Sequence, residues 1–312
     1  MRKPQGFFIT AKITFSGTIP CQQYGNVVPT FEITADTHED AVELGLQKLQ
    51  DIWNRVGTKP LDIDKSKPQQ VVDNRRLVKC WASGTEVYFD PIEHAYTDAR
   101  GNKYLGGSTF AHRYTTEFPS EIISGKMAEK YGVSQEEILA MWELNSEAST
   151  TVGSALHAAL QLREQYASLS RAIKDGSLEA CTTGNPILRP IVEAFFEGRE
   201  HEVAVPEAFV ADPKRHHCGF IDRLLIEDDG VWVEDYKTSK DVQKSETILE
   251  PFKDLVPNTQ LGTYWLQLSF YSRILNVHGK NVKGLRVHHW TGKAWETHEH
   301  PVIDLDAAFK EN

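Results

Sequence analysis

The stretch "GFIDRLLIEDDGVWVEDYKTSK", residues 219–240, constrains the fold more than any other part of the chain. Two apolar runs of strand length flank the acidic turn "EDDG", a pattern that predicts an antiparallel β-hairpin. Each run carries an aspartate where its strand ends or bends, Asp222 in the first and Asp235 in the second. The hairpin therefore brings two carboxylates together at one edge of a sheet. Unpaired charge beside a buried strand is costly. Either solvent covers these groups or a cation lies between them. Lys237 follows Asp235 by two residues, and strand alternation puts both side chains on one face.

Hard carboxylate oxygens of this kind suit Mg²⁺ or Mn²⁺. An ammonium beside them can hold an attacking water and offset the charge that develops when a phosphodiester is cleaved. The plainer alternative is a surface hairpin with solvated charges. The pattern acid, any residue, lysine occurs both at Asp212–Lys214 and at Asp235–Lys237. The second alone closes an apolar run and has a partner aspartate one hairpin away.

Around this hairpin the pattern predicts an α/β chain. Residues 7–56 form a small α+β module, with strand-like "FFITAKITF" and "TFEITAD". A helix follows, opened by a capping box from Thr37 to Asp40. The proline-bearing polar stretch "GTKPLDIDKSKPQQ" reads as a linker, so the accessory module is placed at residues 1–70 and the main domain at 77–312. The main domain opens with a hairpin around the Gly101–Asn102 turn. Helices are expected over "SQEEILAMWELN", with a capping box from Ser134 to Glu137, over "STTVGSALHAALQLREQY" and over "NPILRPIVEAFFEGRE". Three β-like segments, a long helix and further strands complete a central mixed β-sheet flanked by helices.

The long helix holds Q-x-x-x-Y twice, at Gln260–Tyr264 and Gln267–Tyr271. At about 100° per residue these four side chains fall in one stripe, roughly 60° wide. Amide and phenol groups placed so either bond phosphates and bases without adding charge, or simply end at water on a core helix. "KRHH", residues 214–217, reads as a phosphate contact or a solvated loop, and Ser108 and Thr109 as channel lining or helix caps. His288 and His289 alternate on a strand and so cannot share a metal; they read as structural.

"GFIDR" and "VEDYKTS", preceded by "GSALH" and followed by "QLSFY", resemble the motif series of RecB-family nucleases in the PD-(D/E)xK superfamily. That family includes the nuclease domains of bacterial RecB and AddAB, RecB-like CRISPR-associated exonucleases and related phage exonucleases. The resemblance covers about residues 85–300, in the family's order and approximate spacing. It implies a PD-(D/E)xK restriction-endonuclease-like core. Asp222 and Asp235 match the family's metal-binding acids, Lys237 its catalytic lysine, and His157 a histidine that adds a metal ligand from a helix. By itself His157 reads equally as a core or surface helical residue. Glu207 matches an acidic position of some relatives, and is otherwise a structural strand glutamate. Gln267 and Tyr271 match the pair expected to grip DNA.

The implied activity is Mg²⁺- or Mn²⁺-dependent hydrolysis of DNA. A stand-alone exonuclease in phage-type recombination, repair or replication is the first expectation, with a single-strand annealing or replication protein as a partner. Structure-specific or restriction-type endonucleases, and a silent DNA-binding protein on the same fold, are the alternatives. The four cysteines show no CxxC spacing and surround none of these motifs, so no iron–sulfur cluster is expected. A net charge of −10 excludes a basic coat but not a local basic groove. No apolar run nears the roughly 18 residues of a membrane helix. A soluble cytoplasmic protein, in the host cytoplasm if phage-encoded, is the expectation.

Overall fold

The computed structural model describes residues 11–16, 19–21, 25–27, 30–35, 40, 42–48, 51, 75–173 and 182–309, within two compact units, Met1–Val72 and Asp73–Asn312. In the first unit, strand β1 (Ala11–Ser16) pairs antiparallel with β4 (Thr30–Ala35). Strand β2 (Ile19–Cys21) pairs antiparallel with β3 (Gly25–Val27), and residues 42–48 are helical. Thr37 of the expected capping box and the expected linker lie outside the described residues.

The second unit opens with a small antiparallel sheet of β5 (Arg76–Lys79), β6 (Glu86–Asp90) and β7 (Ala95–Thr97). Its main hairpin turns at residues 91–94, where Asp90 Oδ1 accepts the Ile92 and Glu93 amides at 2.9 and 3.1 Å. The Gly101–Asn102 turn expected to hold this hairpin is a second, later one. Asp98 builds it by accepting the Arg100 and Asn102 amides, and Gly101 takes a φ of +85°, which suits a residue without Cβ.

Strand β8 (Leu105–Gly106) leads into helices α1 (Gly107–His112), α2 (Ser120–Tyr131), α3 (Gln135–Ile173) and α4 (Leu188–Phe196). The Ser134 capping box forms as expected: Ser134 N–H donates to Glu137 Oε2 at 2.8 Å, and Glu137 N–H to Ser134 Oγ at 3.1 Å. The two helices expected after it are a single one of 39 residues. Nothing between them breaks helical geometry; the only glycine, Gly153, costs about 1 kcal/mol relative to alanine and is tolerated.

Strands β9 (Val203–Asp212), β10 (His217–Glu227) and β11 (Gly230–Lys237) follow. Helix α5 (Gln260–Val277) then crosses to β12 (Val282–Trp290) and β13 (Trp295–His300). The molecule is α/β, with a mixed six-stranded sheet flanked by helices. β11 pairs parallel with β12, an arrangement that requires a crossover such as α5. On one face α1 and α5 bury Phe110, Trp265 and Phe270 against Ile221, Val233 and Leu285. On the other, α3 and α4 bury Leu156, Leu160 and Phe195 against Tyr236. α5 is buried on more sides than a two-stripe pattern implies, because residues 303–309 pack against it. Ile303 N–H donates to Ser269 Oγ at 3.0 Å, Arg273 pairs with Asp306, and Phe309 stacks on Phe110 at 5.4 Å.

Candidate active site

The site lies where two strands of the sheet part. β10 pairs with β9 along nearly its whole length. On its other edge it meets β11 only from Arg223 to Glu227, and β8 only at His217 and Cys218. Residues 219–222 therefore have no strand on that edge. β11 continues past this point, paired with β12 through Lys237. The two aspartates thus do not stand at the edge of the sheet, as expected, but at a fork in its middle. The reason is β12, a long-range partner that covers β11 on its far side.

Asp222 fills the fork with its side chain. Its Oδ2 accepts the Tyr236 amide at 3.0 Å, replacing the strand bond that the fork removes. The same oxygen lies 3.3 Å from Nδ1 of His157, which α3 brings over the sheet. Asp235, on β11, is 4% exposed and its Oδ2 touches the Lys237 ammonium. The ammonium is that oxygen's partner. Burial works against the Lys237 ammonium, yet Asp235 and Asp222 outweigh it and hold its pKa at about 12. Burial, with the charge of Asp222, pushes Asp235 up despite the nearby lysine.

Glu207 completes the group. It stands opposite Asp222 on β9, but these two positions drop out of a ladder that is otherwise continuous from Ile221↔Ala208 to Arg223↔Pro206. Glu207 has a φ of +48°, in the left-handed region where a residue with a side chain is strained. Burial, then the charges of Asp222 and Asp235, push its carboxyl up to about 7. A carboxyl raised from 4.5 to about 7 leaves stability intact below the lower value and reduces it as pH climbs through the upper one. Glu207→Gln is expected to stabilise the metal-free protein by on the order of 2 kcal/mol at about pH 8, and by almost nothing at about pH 4. Thermal unfolding at the two pH values checks this; an equal gain at both would remove the electrostatic account.

Two cavities meet at this point. One of about 800 Å³ is lined by Arg76, Phe89, Tyr96, Glu207, Asp222 and Tyr271 among others. The other, of about 700 Å³, is lined by Ser154, His157, Lys237 and Ser239. Gln161 and Glu207 border both. Gln267 and Tyr271 line the larger cavity, with Gln267 Nε2 donating to the Tyr271 hydroxyl at 3.3 Å. Tyr271 is only 5% exposed, so it is a wall of the cavity more than an arm reaching from it. Its ring crosses Gly107 and Gly219 so closely that a Cβ at either would lie 2.4 Å from Cε1. Ser108 and Thr109 line this cavity from α1.

Two residues here were not singled out by the pattern of the sequence. Gln161 and Gln165 line the larger cavity, and their places four and eight residues after His157, on one helix face with it, were a readable signal. Tyr264, the outer member of the first glutamine–tyrosine pair, places its ring 4.6 Å from Lys237 Nζ. The basic loop is local instead: Arg215 pairs with Asp212 at 2.8 Å, and Lys214 N–H donates to Asp212. His288 is structural, bonded to Thr297 and Glu234. Cys80 and Cys218 are free and buried. Among the described residues, no helix is long and apolar enough to cross a membrane.

Among the described residues, the trio of histidine or acid donor atoms gathered within 4.8 Å is His289, Glu296 and His298, not His157, Asp222 and Asp235. At the fork the carboxylates are turned toward Lys237, His157 and the Tyr236 amide, so a bound cation would draw them off these partners. Neither a scan of protein-family models nor a search of curated proteins finds a match to the chain.

Proposed function

We propose that the chain is a divalent-metal-dependent DNA nuclease with a PD-(D/E)xK core of the RecB-like type, acting as an exonuclease. One observation carries the reading: the fork between β10 and β11 gathers Asp222, Asp235, Lys237, Glu207 and His157 at the junction of two cavities. The donors suit Mg²⁺ or Mn²⁺, with His157 favouring Mn²⁺ over an all-oxygen site. Two features mark negative charge in excess there: the buried Asp235 carboxyl, pushed up by burial and Asp222 despite Lys237, and the Glu207 carboxyl that keeps its proton up to about neutral pH. Asp222, Asp235 and His157 would hold the ion, with Glu207 beside them. When bound, it would neutralise these carboxylates and stabilise charge on the scissile phosphate.

The chain's own groups supply the rest. Lys237, kept as an ammonium, orients the attacking water and offsets charge on the phosphate oxygens as the bond breaks. Tyr264 packs on that lysine and limits its motion. The larger cavity combines Arg76 and Lys103 with the rings of Phe89, Tyr96 and Phe220, and with the amides of Gln161 and Gln267. Rings and a few cations along a groove suit a single strand, whose bases stack while its phosphates are tracked. This also accommodates a chain that is acidic overall.

The test is incubation of end-labelled linear and covalently closed circular DNA with the protein in Mg²⁺, Mn²⁺ or EDTA, beside Asp235→Asn. Metal-dependent loss of linear DNA alone, absent in the variant, is the expected result. Cleaved circles would move the reading to an endonuclease. DNA that is bound and left intact under every condition would sink it.

A further inference from the structure

The edge of the sheet carries a second group of metal-ligating side chains, apart from the fork carboxylates. β12 and β13 pair antiparallel with His289 opposite Glu296 and Val287 opposite His298. Alternation then puts His289, Glu296 and His298 on one face, and their donor atoms lie within 4.8 Å of one another. β13 is the outermost strand of the sheet. Glu296 is exposed, His298 half-buried and His289 buried.

We propose that His289, Glu296 and His298 form a binding site for a transition-metal dication of the Zn²⁺ class.

The hydrogen bonds specify the donor on His289. Its Nε2 lies 2.7 Å from the Ser239 carbonyl, which can only accept, so Nε2 carries the proton. In the neutral ring the lone pair is then on Nδ1, and that atom is buried without a partner. Nε2 of His298 is buried without a hydrogen bond as well, 4.0 Å from Glu296 Oε2. Two buried imidazole nitrogens without a partner are costly unless something fills their coordination. A protonated His298 paired with Glu296 is the competing account. That pairing would have to close a 4.0 Å gap that holds no hydrogen bond.

Two imidazoles and one carboxylate are a donor set for Zn²⁺, Co²⁺ or Ni²⁺, with open positions for water. Zn–N bonds of about 2.0–2.1 Å require the three donors to draw together from their present spacing. Glu296, exposed on the edge strand, has the freedom to close that gap. The Ser239 carbonyl would serve as the outer partner that fixes ring tautomer and orientation. Such an ion would tie β13 to β12. Through Ser239 it would also tie both to the segment that follows Lys237, whose Cα neighbour across the β11–β12 pair is His289.

Co²⁺ titration of the metal-free full-length protein tests the site, because a four-coordinate nitrogen-bearing site absorbs strongly in the visible and an oxygen-rich six-coordinate one does not. One equivalent giving the visible band is expected, retained in the Asp222→Asn, Asp235→Asn double variant. Its affinity should fall by at least about tenfold in Glu296→Gln and in His298→Ala. Zn²⁺ should raise the thermal midpoint of the wild type and much less that of Glu296→Gln. If His298→Ala fails to fold, the exposed Glu296→Gln decides the matter. Absence of the band overturns the proposal, as does its loss with the two aspartates or its indifference to Glu296→Gln. None of these outcomes depends on DNA cleavage.

Discussion

On the proposed nuclease reading, Lys237→Ala is expected to lower kcat for DNA hydrolysis by about 10²–10³-fold, the cost of removing one charge-stabilising group from the site. KM should change little, because Lys237 lies beside the carboxylates and not along the aromatic wall of the larger cavity. The variant should bind Mn²⁺ at least as tightly as the wild type. The ammonium competes for Asp235 Oδ2, and removing it leaves that oxygen free. Lys237→Arg should not restore the rate, since the planar guanidinium is bulkier and places its charge elsewhere. Single-turnover kinetics over a range of enzyme concentrations with saturating Mn²⁺, alongside a direct Mn²⁺ titration, check all four statements. Loss of Mn²⁺ affinity together with rate would make Lys237 a structural prop of the two acids and not a participant in hydrolysis.

How far the site could be read in advance depended on how local its parts are. The β10–β11 hairpin was legible because its apolar runs and acidic turn lie within 22 consecutive residues. His157 comes to Asp222 from a helix about 65 residues earlier, a distance no periodicity reports. The position of the aspartates was misread for the same reason: β12, which turns a sheet edge into a fork, comes from beyond α5. Glu207 was placed on its strand correctly, but nothing in "VPEAF" announces a left-handed backbone at that residue. His289 shows the same limit. Alternation with His288 correctly separates those two rings, while the register that brings His298 alongside His289 belongs to a different pair of strands. Helix α3 was divided in two because its polar middle, "LNSEASTT", looks like a loop; no proline or paired glycine is there to make it one.

Arg223→Met is expected to destabilise the protein by about 3–5 kcal/mol, the usual cost of removing one partner from a buried ion pair. Arg223 is 1% exposed and bonds three carboxylates: Glu234 at 2.6 Å, Glu202 at 2.8 Å and Glu164 at 3.0 Å. Glu234 is fully buried and also takes Arg286 at 3.1 Å and His288 at 3.2 Å. Arg223 and Glu234 form the last rung of the β10–β11 ladder before the fork. The network therefore fixes the point at which Asp222 and Asp235 separate. Burial alone would raise the Glu234 carboxyl, but His288 and Arg223 outweigh it and hold it at about 2. A depressed carboxyl gives stability that is complete above its unfolded value of 4.5 and is lost as pH falls toward about 2. In Arg223→Met the Glu234 pKa rises toward its unfolded value, so the variant lacks the acid loss that Glu234 gives the wild type. Urea unfolding at about pH 7 and about pH 4 should therefore show the destabilisation caused by Arg223→Met shrinking at the lower pH, where Glu234 can take up a proton in the variant. Adding Glu234→Gln to Arg223→Met should recover part of the loss, because it removes a buried charge that has lost its closest cation and keeps only Arg286 and His288 beside it. If the double variant were less stable than the single by the full effect of Glu234→Gln alone, the two residues would be acting independently and the ion pair would not set the fork.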